Sequence, residues 1–175
     1  EPAGDGGGWT QAVTLERTAI TGPVRAAFTV AGTRRELANG DDIALETLHP
    51  DGDVDLRDVP LVFAGYGISA PELDWDDYAG LDVRGKVVVV LINDPDFEAE
   101  APGRFGGRAL TLYGRWTYKF EEAAKRGAAG VLIVHETEPA SYPWATVRNG
   151  RAGPQYDIVR ADAATHHLPM RGWMQ

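Results

Sequence analysis

The stretch that decides the fold is GRWTYKFEEAAKRGAAGVLIVHETEPASYPW, residues 114–144. Gly127 can adopt the left-handed conformation that commonly ends a helix, and 131–134 is a short apolar run typical of a buried strand. Before that glycine, the apolar side chains recur at the i, i+4, i+7 and i+8 spacing of a one-sided helix, at Trp116, Phe120, Ala123 and Ala124. The stretch therefore predicts a helix, a glycine stop and a buried strand in succession.

Composition limits the class of protein. The chain has 175 residues, 43% hydrophobic and 25% charged, which is typical of one soluble globular domain. A net charge of −9 argues against a nucleic-acid partner, because phosphate binding needs clustered Lys and Arg. No apolar run reaches the roughly 20 residues of a membrane-spanning helix. The absence of cysteine excludes disulfides, thiolate metal sites and cysteine nucleophiles.

Further strands are indicated by β-branched and apolar patterns. The run VVVVLI is the most apolar part of the chain and indicates a strand covered on both faces. The predicted strands are 24–30, 43–48, 61–64 and 87–92.

Other segments are predicted from turn and capping residues. Asp74 is placed to cap a short helix through Trp75 and Tyr78. Residues 94–114 are expected to form a long loop, which in a compact domain is usually functional. The segment 149–156 is predicted as loop, and 157–175 as one more strand or a linker.

One set of residue types could belong to a self-contained small metallopeptidase. Such an enzyme needs His and carboxylate ligands that converge within about 4 Å of one metal ion. Local context opposes this interpretation. His49 and Asp51 lie in a Pro/Gly/Asp turn, where ligands are held less rigidly than on helices or strands. Glu121 is adjacent to Glu122 on a helix, so the two side chains point about 100° apart. The candidates are His49, Asp51, Glu121, Asp157 and His167.

Neighbouring acidic and histidine residues have simpler interpretations. Glu122 is expected to be a surface charge near Lys125 and Arg126. Asp51 to Asp55 resembles half of a calcium loop, and we favour a solvated turn there, with a weak calcium site as the alternative. His135 ends the buried strand and is expected to be a structural hydrogen-bonding group.

Aromatic and arginine side chains near the ends of predicted elements are candidates for contact with a substrate or partner. Trp, Tyr and Arg dominate recognition surfaces because they combine large contact area with directed hydrogen bonds. The candidates are Arg108, Arg115, Tyr142 and Trp144.

Two segments, LVFAGYGISAPELDWDDYAGLDVRGKVVVVLINDP (61–95) and YGRWTYKFEEAAKRGAAGVLIVHETEPASYPW (113–144), carry a family resemblance. They resemble the protease-associated (PA) domain of bacterial zinc-dependent aminopeptidases, in the group that includes glutamate carboxypeptidase II and the transferrin receptor. The resemblance implies an α/β class of fold: a β/β/α swivelling domain with a small curved sheet or open barrel of short strands and flanking helices. It also implies three regions: 1–20, similar to the catalytic-domain stretch before the insertion; 21–160, the PA domain; and 161–175, an exit segment or linker.

The resemblance also implies a function. The chain is expected to be a non-catalytic domain of a secreted, periplasmic or extracellular zinc aminopeptidase, without catalytic or metal-binding residues of its own. Its zinc is expected in the parent's catalytic domain, and its partners are that domain and a peptide substrate. Arg115 lies one position from an arginine that contacts the substrate carboxylate in the carboxypeptidase branch. An independent protein-interaction module is the remaining alternative.

Overall fold

The computed structural model describes residues 2–48, 52–99, 103–161 and 167–175. Its strands are Leu15–Thr18 (β1), Ala26–Val30 (β2), Thr33–Leu37 (β3), Ile43–Glu46 (β4), Leu61–Phe63 (β5), Ser69–Ala70 (β6), Trp75–Asp76 (β7), Val87–Leu91 (β8), Gly130–Val134 (β9), Gln155–Ile158 (β10) and Met170–Met174 (β11). Its α-helices are Trp116–Lys125 (α1), Thr137–Ala140 (α2) and Trp144–Arg151 (α3). Short 3₁₀ helices span Asp5–Gly7, Pro71–Leu73 and Pro95–Glu98.

A five-stranded mixed sheet forms the centre of the molecule, in the order β4-β11-β9-β8-β5. Strands β5, β8, β9 and β11 run parallel to one another, and β4 is antiparallel to β11 at the edge. The strand predicted from VVVVLI is confirmed as β8, and its buried pattern agrees with coverage on both faces. The sheet is open, with β4 and β5 as its terminal strands, so it does not close into a barrel.

The two faces of the sheet are covered by different layers. Because successive side chains in a strand point to opposite faces, β8 sends alternate valines to each side. Val88 and Val90 join Phe120 and Ala123 of α1 in the larger core, whereas Val87 joins the smaller one. The β2–β3 hairpin contributes Ala26 and Leu37 to that smaller core. The layers are therefore hairpin, sheet and helices, which agrees with the predicted β/β/α arrangement.

Helix α1 forms as the sequence predicts. Phe120 and Ala123 are buried against the sheet, and Trp116 is half-buried beside them. Gly127 has φ of 72°, in the left-handed region, and its N–H donates to the carbonyl of Ala124. This backbone conformation turns the chain directly into β9.

Two of the local predictions are wrong. Asp74 does not cap a helix: it has φ of 50° at the end of the 3₁₀ helix, and the next two residues form β7, paired with β6. Glu122 does pair with Lys125 and Arg126, but its side chain is buried instead of lying at the surface.

Two segments that the sequence predicts as loops contain regular structure. Helix α3 extends over part of the segment 149–156 that was expected to be loop, and Pro95–Glu98 shortens the loop 94–114. Of the alternatives for 157–175, the structure shows strand, because β10 pairs with β1 and β11 lies between β4 and β9. The two boundaries between the predicted regions, after residues 20 and 160, remain predictions. No helix among the described residues is long and apolar enough to cross a membrane.

Candidate contact site at the carboxyl ends of the central strands

A small pocket lies where β8 and β9 end and α1 begins. In open α/β sheets this edge is the usual place for ligands, because loops that follow parallel strands converge there. The pocket has a volume of about 90 Å³. It is lined by Ile92, Leu110, Gly114, Arg115, Trp116, Pro139, Ala140 and Tyr142. Two of the four predicted contact residues, Arg115 and Tyr142, are thus brought together on its wall.

Arg115 is the residue just before the first turn of α1. Its backbone is extended (φ −70°, ψ 135°), and its carbonyl accepts from the N–H of Lys119 at 3.4 Å. The side chain is exposed and has no ion-pair or hydrogen-bond partner among the described residues. A free guanidinium in such a place can form two parallel hydrogen bonds with a carboxylate.

Tyr142 also lines the pocket and is held by His135. The ring of His135 lies 5.5 Å from that of Tyr142, and its Nε2 is 3.1 Å from the Tyr142 carbonyl oxygen. Burial lowers the pKa of His135 and raises the pKa of the Tyr142 hydroxyl. Burial thus favours the neutral form of both groups. The structural hydrogen bond predicted for His135 is confirmed.

The other two predicted contact residues lie outside the pocket. Arg108 pairs with Glu138 of α2 at 2.6 Å and covers the ring of Phe97, with 4.2 Å from its guanidinium carbon to the ring centroid. It thereby attaches the loop 103–114 to α2. Trp144 is buried in the core, and its indole N–H donates to the carbonyl of Gly40 at 2.9 Å.

The loop beside the pocket is shaped by the carboxylate of Asp96. Its Oδ2 accepts backbone N–H groups from Gly103 at 2.9 Å, Phe105 at 2.7 Å and Gly107 at 3.2 Å. Burial alone would raise the pKa of Asp96, but these N–H donors outweigh it and lower the pKa. One ionised side chain thus satisfies three donors of the loop.

Lys119 holds α1 to the loops at the same edge of the sheet. Its side chain is fully buried, and its ammonium group donates to the carbonyls of Tyr66 at 2.6 Å, Asn93 at 2.7 Å and Tyr113 at 3.4 Å. Burial lowers the pKa of Lys119 to about 7, although nearby carboxylates oppose that shift. Three separate loops are therefore joined at one cation.

Asn93 and Asp94, directly after β8, complete this polar network. The Asn93 amide donates to the carbonyl of Pro139 at 2.9 Å, which ties β8 to α2. Asp94 accepts from the hydroxyl of Thr111 at 2.7 Å, and burial raises the pKa of its carboxyl group. Both side chains are buried, so they position the pocket without contacting solvent.

The sequence analysis did not predict this polar network, although the position of Lys119 in the sequence indicates its buried role. Lys119 is three residues after Trp116 and one before Phe120, so it lies within the apolar stripe of α1. A charged residue at such a position predicts a buried, hydrogen-bonded cation. The role of Asp96 depends on a loop up to eleven residues away, which no local pattern indicates.

The residues proposed for a metallopeptidase do not assemble a metal centre in the described part of the chain. His49 and Asp51 lie outside the described residues. The calcium-like loop Asp51 to Asp55 therefore begins outside them as well. Glu121 is exposed on α1. His167 and Asp157 are the two candidates that contact each other, with 2.5 Å between Nε2 and Oδ2. Within the described ranges, no group of three His, Asp or Glu side chains could hold a metal ion.

These features define a small α/β domain with a candidate contact site at the carboxyl ends of its central strands. The chain belongs to the PA (protease-associated) domain family, whose model matches residues 57–172. Members of this family are accessory domains of proteases, generally without catalytic activity, and typically occur in secreted or extracellular proteins. No curated protein and no solved structure matches the chain significantly. The resemblance to the PA domain is thus confirmed, and the aminopeptidase branch remains a prediction.

Proposed function

We propose that this PA domain serves a secreted zinc-dependent aminopeptidase, where it borders the active-site cleft and contacts the peptide substrate. The observation that supports this most directly is Arg115, an exposed and unpaired guanidinium on the wall of the pocket at the carboxyl edge of the sheet. The carboxyl end of a peptide is a matching ligand for such a group. In this proposal the zinc ions belong to the parent's catalytic domain.

The pocket is too small to enclose a peptide, since ligand pockets usually measure about 300–1,000 Å³ and this one about 90 Å³. We therefore assign it to one terminal group of the substrate, with the rest of the peptide held by the catalytic domain. Tyr142 and Trp116 supply flat apolar walls, and Arg115 supplies the charge. The buried network of Lys119 and Asp96 holds those walls in place.

The test is aminopeptidase activity of the complete gene product, with zinc, on a tetrapeptide and on an aminoacyl-nitroanilide. Arg115→Ala should raise KM for the tetrapeptide about tenfold, corresponding to about 1.4 kcal/mol, with little change in kcat. The nitroanilide lacks a carboxylate, so its KM should stay constant. Arg35→Ala, which removes an exposed arginine of the β2–β3 hairpin, is the matched control.

Other outcomes would change the assignment. Equal effects of Arg115→Ala on both substrates would contradict a contact with the peptide carboxylate. A complete gene product without peptidase activity that binds another protein would favour the independent interaction module. Turnover by the 175-residue chain itself would overturn the accessory role.

A further inference from the structure

A second and larger groove, which shares no lining residue with the first pocket, lies between the segment 20–24 and helix α3. It runs beside β4, the terminal strand of the central sheet. Its volume is about 460 Å³, within the usual range for a bound ligand. It is lined by Ile20, Gly22, Pro23, Val24, Asn39, Gly40, Ala44, Leu45, Arg148, Arg151 and Ala152.

The charged groups of the groove are two arginines from the end of α3. Arg148 lines the groove, has a half-exposed side chain and lies 3.8 Å from the carboxylate of Asp41. Arg151 is more buried, and its guanidinium packs on the ring of Trp173 at 4.3 Å. Packing on an indole fixes the direction of a guanidinium, so Arg151 is already ordered before any ligand arrives.

Around Arg151, the arginine side chains outnumber the carboxylates that pair with them. Glu46 is almost fully buried and pairs with both Arg171, at 2.6 Å, and Arg151, at 3.2 Å. No second carboxylate lies within ion-pair distance of these two arginines in the part of the chain that the structure describes. Since unpaired charge is costly when it is partly buried, a further anion beside Arg151 would be stabilised.

The rest of the lining combines polar groups with the apolar side chains of Ile20, Pro23, Val24 and Leu45. A ligand that fits this lining has a carboxylate, apolar side chains and groups that form hydrogen bonds. An extended peptide that ends in a free carboxyl group has this chemistry, and the terminal strand β4 lies alongside it.

We propose that the groove between residues 20–24 and α3 binds the free carboxyl end of an extended apolar peptide segment, paired with Arg148 and Arg151. This site is separate from the pocket at Arg115 and does not depend on the aminopeptidase assignment. It gives the domain a second place at which a polypeptide can be held.

The test is an NMR titration of the 175-residue chain with acetyl-Ala-Val-Leu-Ala, compared with the same peptide amidated at its carboxyl end. We expect saturable shifts of the backbone resonances of Gly22, Gly40 and Ala152, with affinity at least about tenfold weaker for the amide. Arg148→Glu should reduce affinity for the free acid about tenfold or more. Arg35→Glu, which makes the same change of charge on the exposed hairpin, should leave it unchanged.

The outcomes separate this site from the first one. Loss of binding in Arg115→Ala with no effect of Arg148→Glu would place the peptide at the smaller pocket and overturn the proposal. Equal affinity for the acid and the amide, or no saturable shift at up to about 1 mM peptide, would also overturn it. Arg148 is exposed, and an unchanged melting temperature of Arg148→Glu would exclude unfolding as the cause.

Discussion

At the scale of single residues, the ammonium group of Lys119 connects α1 to three loops through carbonyl oxygens alone. A buried lysine without a carboxylate at hydrogen-bonding distance is more easily deprotonated than one in water. Its pKa falls to about 7 because of burial, whereas in the unfolded chain it returns toward its ordinary value of 10.5. The stability of the domain is therefore linked to pH through this residue.

The first prediction concerns that linkage. Between about pH 7 and 10.5 the unfolded chain binds a proton on Lys119 that the folded chain has released, so the free energy of unfolding should rise with pH. The slope cannot exceed about 1.4 kcal/mol per pH unit. Urea denaturation between about pH 7 and 9 would measure it, and Lys119→Met should abolish it.

Lys125→Met is the matched control, because Lys125 is on the same helix but exposed. This variant should keep the slope of the native protein. A slope that persists in Lys119→Met would assign the pH dependence to another group.

The second prediction concerns Asp96. Asp96→Ala removes the acceptor of three loop N–H groups and should lower the free energy of unfolding by about 1–3 kcal/mol. Because the pKa of Asp96 is lowered, its contribution is complete at pH 7 and is lost only as the pH falls below its ordinary value of 3.8. Denaturation at pH 7 measures the loss, and hydrogen exchange should accelerate at residues 103–107.

Asp53→Ala removes an exposed carboxylate from another loop and should have little effect. Equal destabilisation by the two variants would show that Asp96 acts through net charge and not through its hydrogen bonds.

At the scale of elements, β11 shows how closely neighbouring strands approach. A Cβ atom added to Gly172 would lie 2.5 Å from the carbonyl oxygen of Ala44 in β4. Gly150, near the end of α3, has open space around its Cβ position. A side chain is therefore excluded at Gly172 and accommodated at Gly150.

The third prediction compares these two glycines. Gly172→Ala should destabilise the domain by about 1–3 kcal/mol, because the backbone of an adjacent strand cannot move away easily. Gly150→Ala should stabilise it by up to about 1 kcal/mol, because alanine favours the helical conformation. Thermal denaturation of both variants measures the difference, and a shift of the same sign in both would contradict it.

Sequence patterns predicted the elements whose signals are local. Helix α1, the glycine stop at Gly127 and strands β8 and β9 follow from periodicity and conformational preference. Helix α3 was missed because Asn149-Gly150 is a common turn pair, while burial of Trp144 and Val147 stabilises the helix in the folded protein. Asp74 was misassigned because the same residue type that caps helices also adopts the left-handed conformation.

At the scale of the whole molecule, the sheet joins residues distant in sequence. Strand β11 pairs with β4 at one side and with β9 at the other, so it completes both the hairpin-side and helix-side cores. Its Trp173 is fully buried against Phe120 and Trp116. Local patterns could not predict this placement, because parallel pairing is specified by contacts over long separations.

The fourth prediction concerns the boundary at residue 160. A chain limited to 1–160 lacks β11 and should not fold, because β4 would lose the strand it pairs with in the central sheet and the core would lose Trp173. Far-ultraviolet circular dichroism and dispersion of NMR signals would measure this. A chain limited to 21–175 is the control and should fold, since β1 pairs with β10 in a two-stranded sheet that is separate from the central one. A folded 1–160 chain would support the predicted boundary.

The position of β11 has a consequence for how the protein is made in a cell. Translation proceeds from the amino terminus, so β4, β8 and β9 leave the ribosome before the strand that lies between β4 and β9 has been made. Because the domain is not expected to fold without β11, these apolar segments remain exposed until residues 170–174 emerge. Chaperones that recognise exposed apolar segments would thus have access to the nascent polypeptide until β11 has been synthesised.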